Sequence, residues 1–435
     1  MSQMPPELWL RVFDLATDVH DLLRCDAQVS SDLPRALVKQ HEQQLLKHSL
    51  HTKRSIVLVC RTWSELAAEF LYQSVLVTRV HDLASLHESL QRHASLPSGR
   101  VRLGWWTRRL DVLIEDDHCQ ASDYALLAKI VRHFSNLVVV TLSMPMLPFN
   151  DCWLRQLPTS VVTSLAETCG MSLQLFDCSE SILRPCRQVW LLCFLVLELM
   201  MIHLREDLMM LLEASRNLRV LRCPICSPTP GDRSARYRQD IPIMSKLESI
   251  TLTSIFLRDY LPRNKDANHL PALRQLTYDC IPPPFFDHVW KNFVKLTCVN
   301  VTTVTLDFCL LGESLQNELD LLAECCVALD KLIIYLRSWL EMKPHLVLPP
   351  VSFLGLHSKF VKAPVFHQQA LVSALMTLTG SKLKSIRLLH VSASEELRES
   401  VPFLPADDLA CLISSNIALE DHEGRLLPET FHRVG

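Results

Sequence analysis

Asn136-Leu137-Val138-Val139-Val140-Thr141-Leu142 carries the pattern on which the fold turns. A leucine is followed three residues later by an aliphatic or aromatic side chain and, two beyond that, by another buriable one. The last two are spaced as same-face positions of a strand, where side chains alternate. The pattern recurs at Leu173-Phe176-Cys178, Leu218-Leu221-Cys223, Leu247-Ile250-Leu252, Leu273-Leu276-Tyr278, Leu296-Val299-Val301, Leu329-Leu332-Ile334 and Leu383-Ile386-Leu388, with Leu192-Leu195-Leu197 a further copy. The leading leucine often follows Asn, Lys or Ala, as at Asn217, Lys246, Ala272, Lys295, Ala328 and Lys382, so the series is more than a count of leucines.

Between the copies lie helical candidates at 123–134, 206–214, 315–327 and 366–379, the first with Leu126, Leu127, Ile130, Val131 and Phe134 on one side. Alternating strands and helices predict an α/β chain with parallel strands. Many separations between leading leucines fall near the ~20 to 29 residues of leucine-rich repeats. The region from 105 to 415 therefore resembles a degenerate leucine-rich repeat solenoid, in which neighbours stack to bury faces that no single repeat can bury. The long interval between Leu329 and Leu383 and the Pro-rich stretches at 226–231 and 281–284 read as insertions and loops.

The N-terminal region has another grammar. Met4-Pro5-Pro6-Glu7-Leu8-Trp9-Leu10-Arg11-Val12-Phe13 places prolines and an acid at the start of an amphipathic helix. A second helix is expected from Thr52 through Ala67, with Ile56, Val59, Cys60, Trp63 and Leu66 on one face. By pattern alone these are two halves of a helical hairpin. The Pro-Pro-Glu-Leu start followed by Val59-Cys60-Arg61-Thr62-Trp63, in that order, resembles the F-box family. The resemblance covers residues 1–75, interrupted by an insertion at about 18–51; 76–104 then reads as a connecting segment and 416–435 as a tail.

F-box proteins are typically substrate receptors of Skp-cullin-F-box ubiquitin ligases. The resemblance implies that Pro6, Leu8, Trp9, Val12, Phe13, Ile56, Val59, Cys60, Trp63 and Leu66 either dock on a Skp-family adaptor, and through it a cullin, or hold the docking helices together. It also implies that the repeats bind a protein substrate while a conjugating enzyme supplies the chemistry. The alternative is a non-enzymatic repeat scaffold whose N-terminal helices cap the solenoid.

Composition and motifs agree with a binding protein. Hydrophobic residues make up 49% and charged residues 21%, which predicts a folded chain, and a net charge of -3 gives no global pull toward nucleic acid. The 16 cysteines are scattered, and acids at Glu7, Asp14 and Asp18 interrupt any secretory leader, so reduced thiols and a cytoplasmic or nuclear setting are expected. The apolar run 189–201 is too short to span a bilayer. Gly99 and Gly104 lead into Trp105-Trp106, which excludes a P-loop, and His41-Glu42, His87-Glu88 and His422-Glu423 lack the second histidine of a zinc-protease helix. Cys223-Pro224-Ile225-Cys226 lacks two further zinc ligands and reads as a strand end and turn. No metal or cofactor is expected.

For the substrate, the strand copies supply Arg219, Arg222, Arg274, Lys331, Lys384 and Arg387 against Glu248 and Asp330. If these line the concave side, the stripe suits an acidic or phosphorylated protein segment, held by forked bonds from arginine. A solvated charged face is the bland alternative. No aromatic interleaving marks it for nucleic acid.

Overall fold

The computed structural model describes residues 4–19, 23, 35–94, 102–114, 120–143, 159–178, 202–223, 242–253, 268–279, 287–307, 315–358, 365–390 and 417–427. The chain is α/β and divides into two compact units, residues 1–26 with 38–247, and residues 27–37 with 248–435.

The first unit opens with α1 (Pro6–Thr17), α2 (Arg35–Val57, within this unit from Val38) and α3 (Arg61–Gln73). There follow β1 (Ser74–Val77), α4 (Val80–Ala94), β2 (Arg109–Leu113), α5 (Ala121–Val131), β3 (Val139–Ser143), α6 (Thr159–Cys169), β4 (Leu175–Asp177), α7 (Ile202–Ala214) and β5 (Val220–Arg222). Strands β1 to β5 pair in parallel and in chain order, with Val75, Leu110, Val140, Phe176 and Leu221 in one register row.

The second unit contains β6 (Ser249–Thr253), β7 (Gln275–Asp279), α8 (Asp287–Thr297), β8 (Thr303–Asp307), α9 (Leu315–Cys325), β9 (Lys331–Leu336), β10 (Phe353–Ser358), α10 (Val365–Thr377), β11 (Ser385–Leu388) and β12 (Ala418–Glu420). Its strands also pair in parallel and in order, aligning Ile250, Leu276, Val304, Leu332, Leu354, Ile386 and Leu419.

The repeated sequence pattern has a physical basis in a turn. The N–H groups of Leu218, Leu247, Leu273, Val301, Leu329 and Leu383 each donate to the carbonyl three residues earlier, and the strand starts two residues later. The leading residue and the two same-face strand residues then enter the core: Leu273, Leu276 and Tyr278 are all buried, as are Leu329, Leu332 and Ile334. Each such burial stabilises by about 1.5 to 3 kcal/mol, and only stacking makes it complete. The residue before the leading position ties one turn to the previous one. Asn136 Nδ2 donates to the Trp105 carbonyl at 3.0 Å, and Asn217 Nδ2 to that of Met171 at 2.6 Å. Lys246 Nζ reaches Asn217 Oδ1 at 2.6 Å.

The expected copy at Leu296-Val299-Val301 is displaced. Leu296 lies in α8 and Val299 is exposed, whereas Val301 is itself the leading residue, followed by buried Val304 and Leu306. A β-branched leading residue escaped a search keyed to leucine. Thr107 before Leu110 and Val112, and Val351 before Leu354 and Leu356, are missed repeats for the same reason. The second of these fills the interval between Leu329 and Leu383. Paired strands also begin at Ser74 and recur at Ala418–Glu420, outside the 105–415 range expected for the repeats. The copy at 192–197, Cys226 and the loops at 226–231 and 281–284 lie outside the described residues.

At the N-terminus, the helix expected from Thr52 to Ala67 is two helices. The apolar run through Leu58 and Val59 leaves α2, and Cys60 caps α3, its Sγ accepting the Trp63 N–H at 3.5 Å. Much of the interval read as an insertion belongs to α2, whose Leu46 and Leu50 are buried beside Val19 and Leu76.

Candidate functional site

Helix α1 is apolar on two sides, and the structure uses only one of them internally. Trp9 and Phe13 face α3: the Trp9 ring lies 4.5 Å from Trp63, and Phe13 meets Trp63 at 5.0 Å and Phe70 at 6.4 Å in edge-on contacts. Phe13 is 1% exposed. Thr17 extends this face, and Ser49 Oγ of α2 donates to its carbonyl at 2.7 Å. The aromatic cluster thus fixes α1 against α3 with geometry worth about 0.5 to 1.5 kcal/mol per pair beyond burial.

The other side of α1 is left to solvent. Leu8, Val12 and Leu15, at i, i+4 and i+7, are 52%, 41% and 67% exposed, and Leu58 and Val59 at the α2–α3 junction are 82% and 60% exposed. Trp63, one turn after Val59, touches Trp9, the neighbour of Leu8, so the aromatic contact sets the start of α1 against the first turn of α3. Large apolar side chains left in water at successive turns of one helix are a candidate interaction surface.

The residues singled out from the sequence therefore separate by role. Leu8, Val12 and Val59 are surface groups; Phe13 is core; Trp9, Trp63, Ile56 and Leu66 are half-buried. Pro6 occupies the first helical turn and Cys60 is the exposed cap of α3. Leu15 and Leu58 were missed. The signal for Leu15 was the second apolar stripe of α1, and for Leu58 the four-residue apolar run that crosses a helix break.

Module and sheet meet through apolar packing and one charge contact. Arg109 of β2 holds Asp111 through Nε to Oδ2 at 2.6 Å and Nη2 to Oδ1 at 3.2 Å, and Nη2 also reaches Glu42 of α2 at 3.3 Å. Leu76, in register with Asp111, packs on Leu46 and Leu50, so α2 covers this face of β1 and β2. Lys53 of α2 is buried, which pulls its pKa down to about 8 against the opposing pull of Asp18.

The basic residues expected to form one stripe do not form one. In the first unit, Arg222 lies in the register row of Thr141 and Asp177 and pairs with Asp177 at 3.4 Å. Arg219 precedes the strand by one residue and so has the alternation of the apolar row, not of Arg222. In the second unit, Arg387 pairs with Glu420 at 2.7 Å and covers the Phe353 ring, whose other side Lys331 approaches. Arg274 and Lys384 also precede their strands and are exposed at the strand starts, with Arg274 Nη1 donating to the Asn300 carbonyl at 3.0 Å. Reversing Arg222 or Arg387 to Glu would set carboxylate against carboxylate. The face they occupy is also not open: Val139, Thr141, Asp177 and Val220 in the first unit and Ile333 and Phe353 in the second are buried.

Among the described residues, no group of three or more His, Cys, Asp and Glu side chains is arranged to hold a metal, and no helix is long and apolar enough to cross a membrane. The described cysteines are free thiols. Burial pushes the Cys169 thiol up to about 12, and a hydrogen bond to Cys298, followed by burial, raises that of Cys326, so both resist forming the reactive thiolate. Neither a family model nor a curated protein sequence matches the chain.

Proposed function

We propose that this chain is the substrate-recognition subunit of a Skp-cullin-F-box type ubiquitin ligase, with residues 1–75 as an F-box-like adaptor dock and the leucine-rich repeat-like region as the substrate receptor. One observation carries the reading: Leu8, Val12, Leu15, Leu58 and Val59 are exposed on a module whose own core is already filled by Phe13 and its aromatic neighbours. Helices that merely capped the repeats would turn a polar face to solvent.

In this reading Trp9, Phe13 and Trp63 shape the dock, and the exposed apolar groups bury themselves in the adaptor. The substrate is a protein, with Arg274 and Lys384 the accessible cations to meet its carboxylates or phosphates. The chain catalyses nothing itself and needs no cofactor. It acts by holding substrate near the conjugating enzyme, which raises effective concentration. Nucleic acid and membrane have no part in it, and the setting is cytoplasmic or nuclear.

Co-expression with a Skp-family adaptor tests the proposal. Wild type is expected to co-purify at one-to-one stoichiometry, and Leu8→Asp combined with Val59→Asp to lose the adaptor while keeping its circular dichroism spectrum and melting temperature. Failure of well-folded wild type to bind would leave the capped scaffold as the better account.

A further inference from the structure

Helix α2 presents a second unpartnered surface. Its buried side carries Leu46, Ser49, Leu50 and Lys53, and Glu42, its sole acid, is turned to Arg109. The opposite side is exposed and consists of Gln40, Gln44, Lys47, His51 and Arg54 at successive three- and four-residue steps, with His48 beside them. This side contains no carboxylate, and among the described residues Lys47, His48, His51 and Arg54 have no ion-pair partner. The nearest cation further along, Arg61 of α3, has its own partner in Glu65 at 3.4 Å.

Leu58, the most exposed apolar residue of the module, follows in the turn that ends α2, its N–H donating to the Ser55 carbonyl at 3.3 Å. Lys47 and Leu58 are separated by about 16 Å at the rise of an α-helix, a span that fits within one side of an ordinary protein interface. The exposed basic groups at the end of α2 thus lead directly into the exposed apolar pair Leu58 and Val59.

We infer that the exposed side of α2 is the charged half of the docking surface and binds carboxylates of the same adaptor whose apolar groove takes Leu8, Val59 and Leu58. The inference rests on the adaptor-dock reading above and adds the chemistry of the partner: acidic side chains bordering an apolar groove. A nucleic acid would offer the charge but no counterpart for the exposed Leu58 and Val59. The charges of these groups are at the surface, and glutamate is a good helix former, so the substitutions are compatible with the fold.

The test is the affinity of the purified full chain for a Skp-family adaptor at low and high salt, in wild type, Lys47→Glu/Arg54→Glu and Lys47→Gln/Arg54→Gln. The charge-reversed variant is expected to bind at least about tenfold more weakly at low salt, the neutral variant to fall between, and the differences to shrink in about 0.5 M salt. Equal affinity and equal salt dependence of all three would overturn the inference while leaving the apolar dock intact. No binding by wild type would overturn both, and tighter binding by the reversed variant would show the partner surface to be basic.

Discussion

Replacing Arg109 by alanine is expected to lower the unfolding free energy of the first unit by about 3 to 5 kcal/mol, read from urea denaturation. The side chains of Arg109 and Asp111 are 7% and 4% exposed, and the guanidinium meets both carboxylate oxygens. Removing it leaves an anion buried without its cation, which costs far more than the pair contributes net. Two companions make the cause visible. Glu42→Gln is expected to cost less than about 1 kcal/mol, because that carboxylate is 44% exposed and screened by water. Arg109→Met with Asp111→Leu is expected to recover most of the loss, since an apolar pair of similar volume removes both desolvation penalties. A loss below about 1 kcal/mol for Arg109→Ala would mean that water reaches Asp111 and that the pair is not buried as described.

Phe13→Ala is expected to cost about 3 to 5 kcal/mol, the range for a buried aromatic. Phe13 contacts Trp9, Trp63 and Phe70 at once, so its removal opens a cavity between α1 and α3 that the two tryptophans can only partly fill. Adaptor binding should fall with it, but through loss of helix packing. The contrast with Leu8→Asp separates the roles: that change leaves the melting temperature unmoved because Leu8 has little intrachain packing to lose. A Phe13→Ala chain that melts like wild type would show the aromatic cluster to be dispensable, and with it the division between a packed side and a docking side of α1.

The strand repeat was legible because a turn, a leading residue and two alternating positions recur with fixed spacing. Val301, Thr107 and Val351 were hidden by side-chain identity: each fills the leading pocket, Val301 and Thr107 closing the same turn and Val351 a tighter one onto the Pro349 carbonyl. The break between α2 and α3 was less accessible. An apolar face runs without interruption from Ile56 to Leu66, and the signal for the break was the cap at Cys60, a weak sulfur acceptor that competes poorly as a sequence cue with Ser or Asp.

The basic stripe failed for two reasons, one local and one set by strand register. Arg219, Arg274 and Lys384 stand one residue before their strands, so period-two alternation turns them away from the face of Arg222 and Arg387. The carboxylates that pair with Arg222 and Arg387 come from neighbouring strands at Asp177 and Glu420, contacts set by register rather than by sequence proximity. The exposed side of α1 was half legible: the motif named Leu8 and Val12, but only the packed structure separates them from Trp9 and Phe13.

Hydrogen–deuterium exchange of the full chain with and without a Skp-family adaptor is the most direct test of the central claim, because it reads the docking surface without altering it. Protection on adding the adaptor is expected in α1 and across the junction from Leu58 into α3, with the strands of both units unchanged. Protection confined to the strands, or none at saturating adaptor, would contradict the assignment of the N-terminal helices as the dock.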